Sequence, residues 1–245
     1  MVEFKEGAIA VLDVLGVKGV WTRGNTDKII GDWEAVVQSF KRLEMELKKD
    51  SEQKIIPSVQ AFSDTIIIVY EGKDPISLLE WMGAHTALPF VRAILKGIYL
   101  RGAISMGKFR QTESMIIGPA ADEAVEWYES ADWMGVMLTP TSSFTMDKLI
   151  HEKYESIYFK KYNIPFKDGQ RRELWALNWP AYIHTIMKDF ILDKRDPKSA
   201  ILESFSYSPS DPSTFSKYAN TMTFFDTSYE ERKILPDKSS VNSKP

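Results

Sequence analysis

VQAFSDTIIIVYEG, residues 59 to 72, sets a carboxylate, Asp64, in the middle of a largely apolar and β-branched run. The flanks IIPSVQAF and TIIIVYEG are both rich in strand formers, and only Ser63 and Asp64 separate them. The stretch therefore reads as a β-hairpin with the carboxylate at its tip. An ionised carboxylate beside buried strands is costly unless a cation pairs with it. A second stretch poses the same problem: AIAVLDVLGVKGVW, residues 8 to 21, drives an apolar run into Asp13. Residues 8 to 14 are too short and too continuously apolar for anything but a buried strand.

Between these two carboxylates, Ile29, Ile30, Trp33, Val36, Val37, Phe40, Leu43 and Leu47 recur at three- and four-residue spacing, which predicts one long amphipathic helix. After the hairpin, Asp74 and Pro75 supply an N-cap and a first-turn proline for a second helix. YLRGAISMGKF (99 to 109) and SMIIG (114 to 118) predict another strand pair, Pro119 opens a third helix through about Ser130, and GVMLTP (135 to 140) predicts a further strand. The order strand, helix, strand, strand, helix, strand predicts an α+β fold, a ferredoxin-like βαββαβ sandwich with a C-terminal extension of helix and strand.

Beyond residue 140 the pattern weakens. ELWALNWP (173 to 180) predicts a strand or extended segment, and Phe215, Tyr218, Met222 and Phe225 predict one face of a final helix starting near Asp211 and Pro212. LPDKSSVNSKP has little to bury and is expected to be disordered. The expected division is a catalytic domain over 1–140, an extension packed on it over 141–232, and a disordered tail over 233–245.

Composition narrows the chemistry. The 245 residues carry 31 Lys and Arg against 34 Asp and Glu, a formal net charge of -3, with no basic stripe. That argues against a nucleic-acid scaffold. The chain has no cysteine, which removes disulfides, thiolate nucleophiles and Cys-ligated zinc. His85, His151 and His184 are scattered, without the short spacings of a histidine metal site. No leader pattern and no run of membrane-spanning length is present, so a cytoplasmic protein with no membrane partner is expected.

In the predicted fold the first strand and the hairpin lie side by side, so Asp13 and Asp64 would meet at one end of the sheet. Two such carboxylates need a compensating cation, and oxygen ligands of this kind suit Mg²⁺ or Mn²⁺ with substrate phosphates completing the shell. Gly16 and Gly19 in DVLGVKG would let backbone N–H groups approach a polyphosphate. Taken singly, each feature has a plainer explanation: an Asp after a strand is most often a turn former, and two glycines in a loop are a weak signal. Other conspicuous residues also read as structural. The helical tryptophans Trp33, Trp81 and Trp127 read as packing anchors, His85 as a satisfied, half-buried histidine, and Glu123, Glu126 and Glu129 as a solvated face, with Glu126 alone kept as a question.

A strand ending in Asp-hydrophobic-x-Gly, a hairpin carrying a small residue then Asp, the spacing of Gly102 and Gly107, and the helix start GPAADEA together resemble the catalytic domain of class III nucleotidyl cyclases, over about residues 7 to 140. Within that superfamily the chain is most similar to the compact Pycsar pyrimidine cyclases of antiphage defence. The resemblance implies closure of a nucleoside triphosphate to a 3′,5′-cyclic monophosphate with loss of pyrophosphate. It implies two Mg²⁺ or Mn²⁺ ions per site held by Asp13 and Asp64 with the Val14 backbone, and a homodimer with sites at the interface. It assigns nucleotide contacts to Leu15, Gly16, Val17, Gln60, Met115 and Asp122. Gln60 and Met115 stand where purine cyclases carry their base-reading pair, so UTP or CTP is the expected substrate and cyclic UMP or CMP the product, read by a downstream effector that this chain does not identify. Glu126 stands at the position of the family's transition-state Arg, which leaves Lys18, Arg101 and Lys108 as candidate cations. It also leaves open a catalytically silent nucleotide-binding sensor or interaction module.

Overall fold

The computed structural model describes residues 4–15, 26–48, 55–183, 186–187, 195–206 and 212–234. Its frame is the expected one: β1 (Lys5–Val14), α1 (Thr26–Lys48), β2 (Ile56–Phe62), β3 (Thr65–Glu71), α2 (Pro75–Leu95) and β4 (Leu100–Gln111). These strands lie in the order β2-β3-β1-β4, all antiparallel, the arrangement of a ferredoxin-like sandwich. The tight hairpin forms because only Ser63 and Asp64 separate the paired residues Phe62 and Thr65, and Ser63 takes the left-handed backbone (φ 55°) that so short a turn needs.

Strand alternation sorts β1 and β3 onto two faces. Ala8, Ala10 and Leu12 pair with Tyr70, Ile68 and Ile66, and all six are buried. Tyr70 meets His85 of α2 on this face, so α2 covers it. Asp74 caps α2 as predicted, accepting from the Ser77 N–H, with Pro75 in the first turn. His85 is 1 % exposed: its Nδ1 bonds the Tyr70 hydroxyl at 2.7 Å and its Nε2 bonds the Phe40 carbonyl at 2.6 Å. It is fully satisfied and ties α1, α2 and β3 together. Burial holds its pKa below the ordinary value for histidine.

The opposite face is covered by α3 (Pro119–Ser130), which follows the short β5 (Ile116–Ile117). Gly118, at φ 124°, turns the chain into α3, with Pro119 in its first turn. Ala120, Ala121, Ala124 and Tyr128 are buried against β1 and β4. Here the expectation of a solvated acidic face needs correcting at Glu123. Its carboxylate accepts from the buried Ser105 hydroxyl at 2.7 Å and from the Thr141 N–H at 3.1 Å, so it fastens α3 to β4 and to the next helix.

After α3 the chain continues the same sheet. β6 (Val136–Leu138) runs parallel to β4, and beyond it β8 (Arg171–Leu177) and the edge strand β7 (Phe159–Pro165) complete an eight-stranded sheet in which β5 pairs off the main path with β4. Further helical elements among the described residues are α4 (Pro140–His151), a single 3-10 turn over Trp179–Tyr182, α5 (Pro197–Ser206) and α6 (Pro212–Ile234). In α6, Tyr218 and Phe225 are buried as expected, but Phe215 is 64 % exposed and Phe224, outside the expected stripe, is fully buried. Most of the tail expected to be disordered, along with Gly16, Val17, Lys18, Gly19 and His184, lies outside the described residues. No described helix is long and apolar enough to cross a membrane.

Candidate active site

The β registers place Phe62, Thr65, Asp13 and Arg101 directly opposite one another across β2, β3, β1 and β4. Directly opposed residues share a face. Arg101 meets Tyr128 of α3, so this row lies on the α3 face, at the end of the sheet where the hairpin turns. The next row inward is Gln60, Ile67, Val11 and Ala103, which sets Gln60 on the same face.

Gly102 lets the row close up. A Cβ there would lie 2.4 Å from Leu12 Cδ2 and 2.7 Å from the Val11 carbonyl oxygen, so any other residue would force β1 and β4 apart beside Asp13 and Arg101.

Asp13 and Asp64 are brought together from two directions. The Val14 N–H donates to the Asp64 carbonyl at 3.0 Å, locking the end of β1 to the hairpin tip, and the Leu15 N–H donates to the Tyr99 carbonyl at 2.7 Å. The Trp33 indole N–H of α1 donates to the Ser63 carbonyl at 3.1 Å, holding the tip from the other side. Trp33 is thus a packing anchor with a positional task.

The two carboxylates differ in their surroundings. Asp13 Oδ2 accepts both Arg101 Nε (3.1 Å) and Arg101 Nη2 (3.0 Å), with each side chain 15 % exposed. The guanidinium lies 5.2 Å from the centroid of the Tyr128 ring. Burial pushes the Asp13 carboxyl above its ordinary pKa and the charges of Asp64 and Glu129 push the same way, while the bond from Arg101 pulls it down. Burial also pushes the Tyr128 phenol up to about 12, so it stays neutral under the guanidinium. Asp64 accepts no side-chain hydrogen bond from any described residue, and Asp13 Oδ1 is likewise unoccupied by a described donor.

This donor set fits a hard divalent cation: two neighbouring carboxylates, one with an oxygen open and one without a side-chain partner among the described residues, beside backbone that the hairpin holds in place. Among the described residues no group of three or more acidic or histidine side chains converges on one point. Further oxygen ligands would have to come from backbone, water or substrate phosphates, as is usual for Mg²⁺.

Not every candidate residue joins this cluster. Asp13, Val14, Leu15, Asp64 and Arg101 do, with Gln60 one row away. Lys108 is exposed at the opposite end of β4, paired with Glu6, roughly 23 Å along the strand from Arg101 at about 3.3 Å per residue. Met115, 40 % exposed, lies in the turn beyond that end. Asp122 and Glu126 are exposed on α3 and contact neither carboxylate. Tyr128, by contrast, was not singled out from sequence, and Glu129 was read only as part of a solvated face; both belong to the neighbourhood, with Glu129 exposed as expected. The only signal for Tyr128 was its four-residue spacing from Ala120 and Ala124, which marks a buried stripe without saying which strand it meets.

No family model matches the chain, and no curated protein matches it. Among solved structures the chain is similar to the catalytic core of a rhodopsin-guanylyl cyclase with converted specificity, in complex with ATPαS, at 11% identity over 71% of this chain and 97% of that one, TM-score 0.49. It is similar also to adenylate cyclases from Trypanosoma brucei in their monomeric state, at 13% identity over 70% of this chain and 89% of that one, TM-score 0.45. A third is an adenylate/guanylate cyclase/hydrolase from Silicibacter pomeroyi, at 13% identity over 71% and 97%, TM-score 0.45. What the site can do follows from its own residues.

Proposed function

We propose that the chain is a metal-dependent nucleotide cyclase that converts a nucleoside triphosphate, UTP or CTP in preference to ATP or GTP, into its 3′,5′-cyclic monophosphate and pyrophosphate. The observation that carries this reading is the approach of Asp13 to Asp64, whose side chain has no partner among the described residues, at one end of the central strands, fixed by the Val14 N–H to Asp64 carbonyl bond. The motif resemblance around these same two residues supports it.

Asp13 and Asp64 would hold Mg²⁺ or Mn²⁺, with the Val14 backbone as a further ligand. Bound there, the metal supplies Lewis-acid activation of the 3′-hydroxyl and neutralisation of the triphosphate. The reaction forms a bond from the 3′-oxygen to the α-phosphorus and breaks the α–β phosphoanhydride bond, with pyrophosphate leaving and the hydroxyl proton lost to solvent or phosphate. The chain's own residues position the reactants. Gln60, on the same face, offers an amide with both donor and acceptor to a base edge. Arg101 is the nearest described guanidinium to the carboxylates.

The active assembly is a homodimer. In one copy Lys108, Met115 and Asp122 lie away from Asp13 and Asp64, and a two-fold pairing of copies would bring one copy's carboxylates to the other's β4–α3 region. A second reading, a silent nucleotide-binding module, rests on Glu126, a carboxylate where the resemblance calls for a cation. Separate Mn²⁺ reactions with ATP, GTP, CTP and UTP, resolved by mass spectrometry, decide between the two. A cyclic pyrimidine nucleotide that Asp64→Ala abolishes is the expected result. Metal-dependent binding with no product would favour the silent module, and a cyclic purine product would overturn the pyrimidine preference.

A further inference from the structure

Arg101 is sheltered, permanently charged, and bonded to the very carboxylate that the proposed function assigns to a metal ion. We infer that Arg101 is a built-in counter-ion for Asp13 that competes with the divalent cation and is handed to Tyr128 and Glu129 when the metal binds. This rests on the reading of Asp13 and Asp64 as the metal pair.

The geometry carries the inference in three steps. First, Asp13 and Arg101 are directly opposed across β1 and β4, a separation at which a long side chain must fold back to make a close bond. It does so through both Nε and Nη2 to the single oxygen Oδ2. A guanidinium that spends two donors on one oxygen gives up the bidentate match it makes with both oxygens of a carboxylate. Oδ1 is thereby left open to an entering cation.

Second, the pair is only 15 % exposed on either side, so water screens it poorly, and a divalent ion arriving at Oδ1 would meet the guanidinium as a nearby like charge. Third, the guanidinium has somewhere to go. It already lies against the Tyr128 ring, whose hydroxyl reaches Glu129 Oε1 at 3.4 Å. Glu129 is exposed, and its charge is felt at both Asp13 and Lys167, so an anionic acceptor borders the same cluster. Without such a site, displacing Arg101 would strand a half-buried charge. With it, metal entry and guanidinium transfer become one exchange.

The test uses the full chain without nucleotide, with Mn²⁺ affinity read from the electron-spin resonance of free Mn²⁺. Arg101→Met is expected to bind Mn²⁺ on the order of tenfold more tightly than the unaltered chain, the usual scale for removing a like charge at this range. Its melting temperature should fall without metal and rise further on Mn²⁺ addition than that of the unaltered chain. Glu129→Gln, a change at an exposed position, should weaken Mn²⁺ binding severalfold and keeps the test available if Arg101→Met does not fold. Asp64→Ala should abolish binding and so identifies the site being measured. Equal or weaker affinity in Arg101→Met, or unchanged affinity in Glu129→Gln, would overturn the exchange while leaving the metal site standing. Absence of Mn²⁺ binding in the unaltered chain and Arg101→Met alike would overturn both.

Discussion

Asp13 and Asp64 look equivalent in the sequence, and the structure makes them opposites. Asp13 is tied to Arg101 and half buried, so Asp13→Ala leaves a guanidinium without its partner and is expected to cost about 1–3 kcal/mol of folding stability. Asp64 carries no side-chain bond to any described residue, so Asp64→Ala should fall within about 0.5 kcal/mol of the unaltered chain while losing metal-dependent nucleotide binding. Urea unfolding alongside nucleotide titration in Mn²⁺ checks the contrast. Comparable destabilisation by the two changes would mean that Asp64 has a structural partner. That a charge interrupts a buried run at each position was legible from the apolar stretches around Asp13 and Asp64. The inequality between them was not, because it depends on the β1–β4 register that sets Arg101 opposite Asp13, and nothing in either stretch encodes which residue will face the other.

The elements that carry the site were readable where one periodicity ruled. The strand-turn-strand around Ser63, the buried stripe of α1, and the Asp74–Pro75 start of α2 each follow from local pattern alone. Three elements escaped. In α4, PTSSFTMDKLIH buries Ser142, Ser143, Met146 and Leu149, a stripe half made of serine that gives little apolar signal. β7, FKKYNIP, is an edge strand that exposes Lys161 and Asn163 and so gives little apolar signal, as edge strands often do. α5, PKSAILESFS, is short and mixes its buried Ala200, Ile201 and Phe205 with the exposed Leu202. Gly102→Ala would press a methyl against Leu12 and the Val11 carbonyl, and is expected to destabilise the fold by about 1–3 kcal/mol and to weaken Mn²⁺ binding by shifting Asp13 against Asp64. His85 joins α1, α2 and β3 as the neutral imidazole. Its folded pKa is depressed below 6.5, so the unfolded chain binds the proton first: the stability it confers is complete above about pH 6.5 and declines as pH falls below that. Melting temperature should therefore drop between pH 7 and 5.5, and His85→Gln should flatten that slope. An unchanged slope in the variant would show that another group sets it.

At the scale of the whole molecule, one sheet unites the chain: β6, β8 and β7 extend the same surface that β2, β3, β1 and β4 begin, and the carboxylates sit at one end of its central strands. The distance along β4 between Arg101 and Lys108 predicts that activity needs two copies. Chains carrying Asp13→Ala and chains carrying Lys108→Ala should each be inactive alone. Mixed in equal amounts after dissociation and reassembly, they should recover up to about a quarter of full activity, since half the dimers are then mixed and each holds one intact site. Full inactivity of the mixture, with mixed dimers demonstrated, would mean that one copy builds its whole site. Whether Asp13 and Asp64 share bound metal is decided by anomalous diffraction from crystals grown with Mn²⁺ and a non-hydrolysable pyrimidine triphosphate. Anomalous peaks are expected roughly 2.1 Å from carboxylate oxygens of both residues, with Arg101 moved off Asp13 toward Glu129. Mn²⁺ bound elsewhere, or an Asp13 still closed by Arg101 with no metal beside it, would contradict a shared metal.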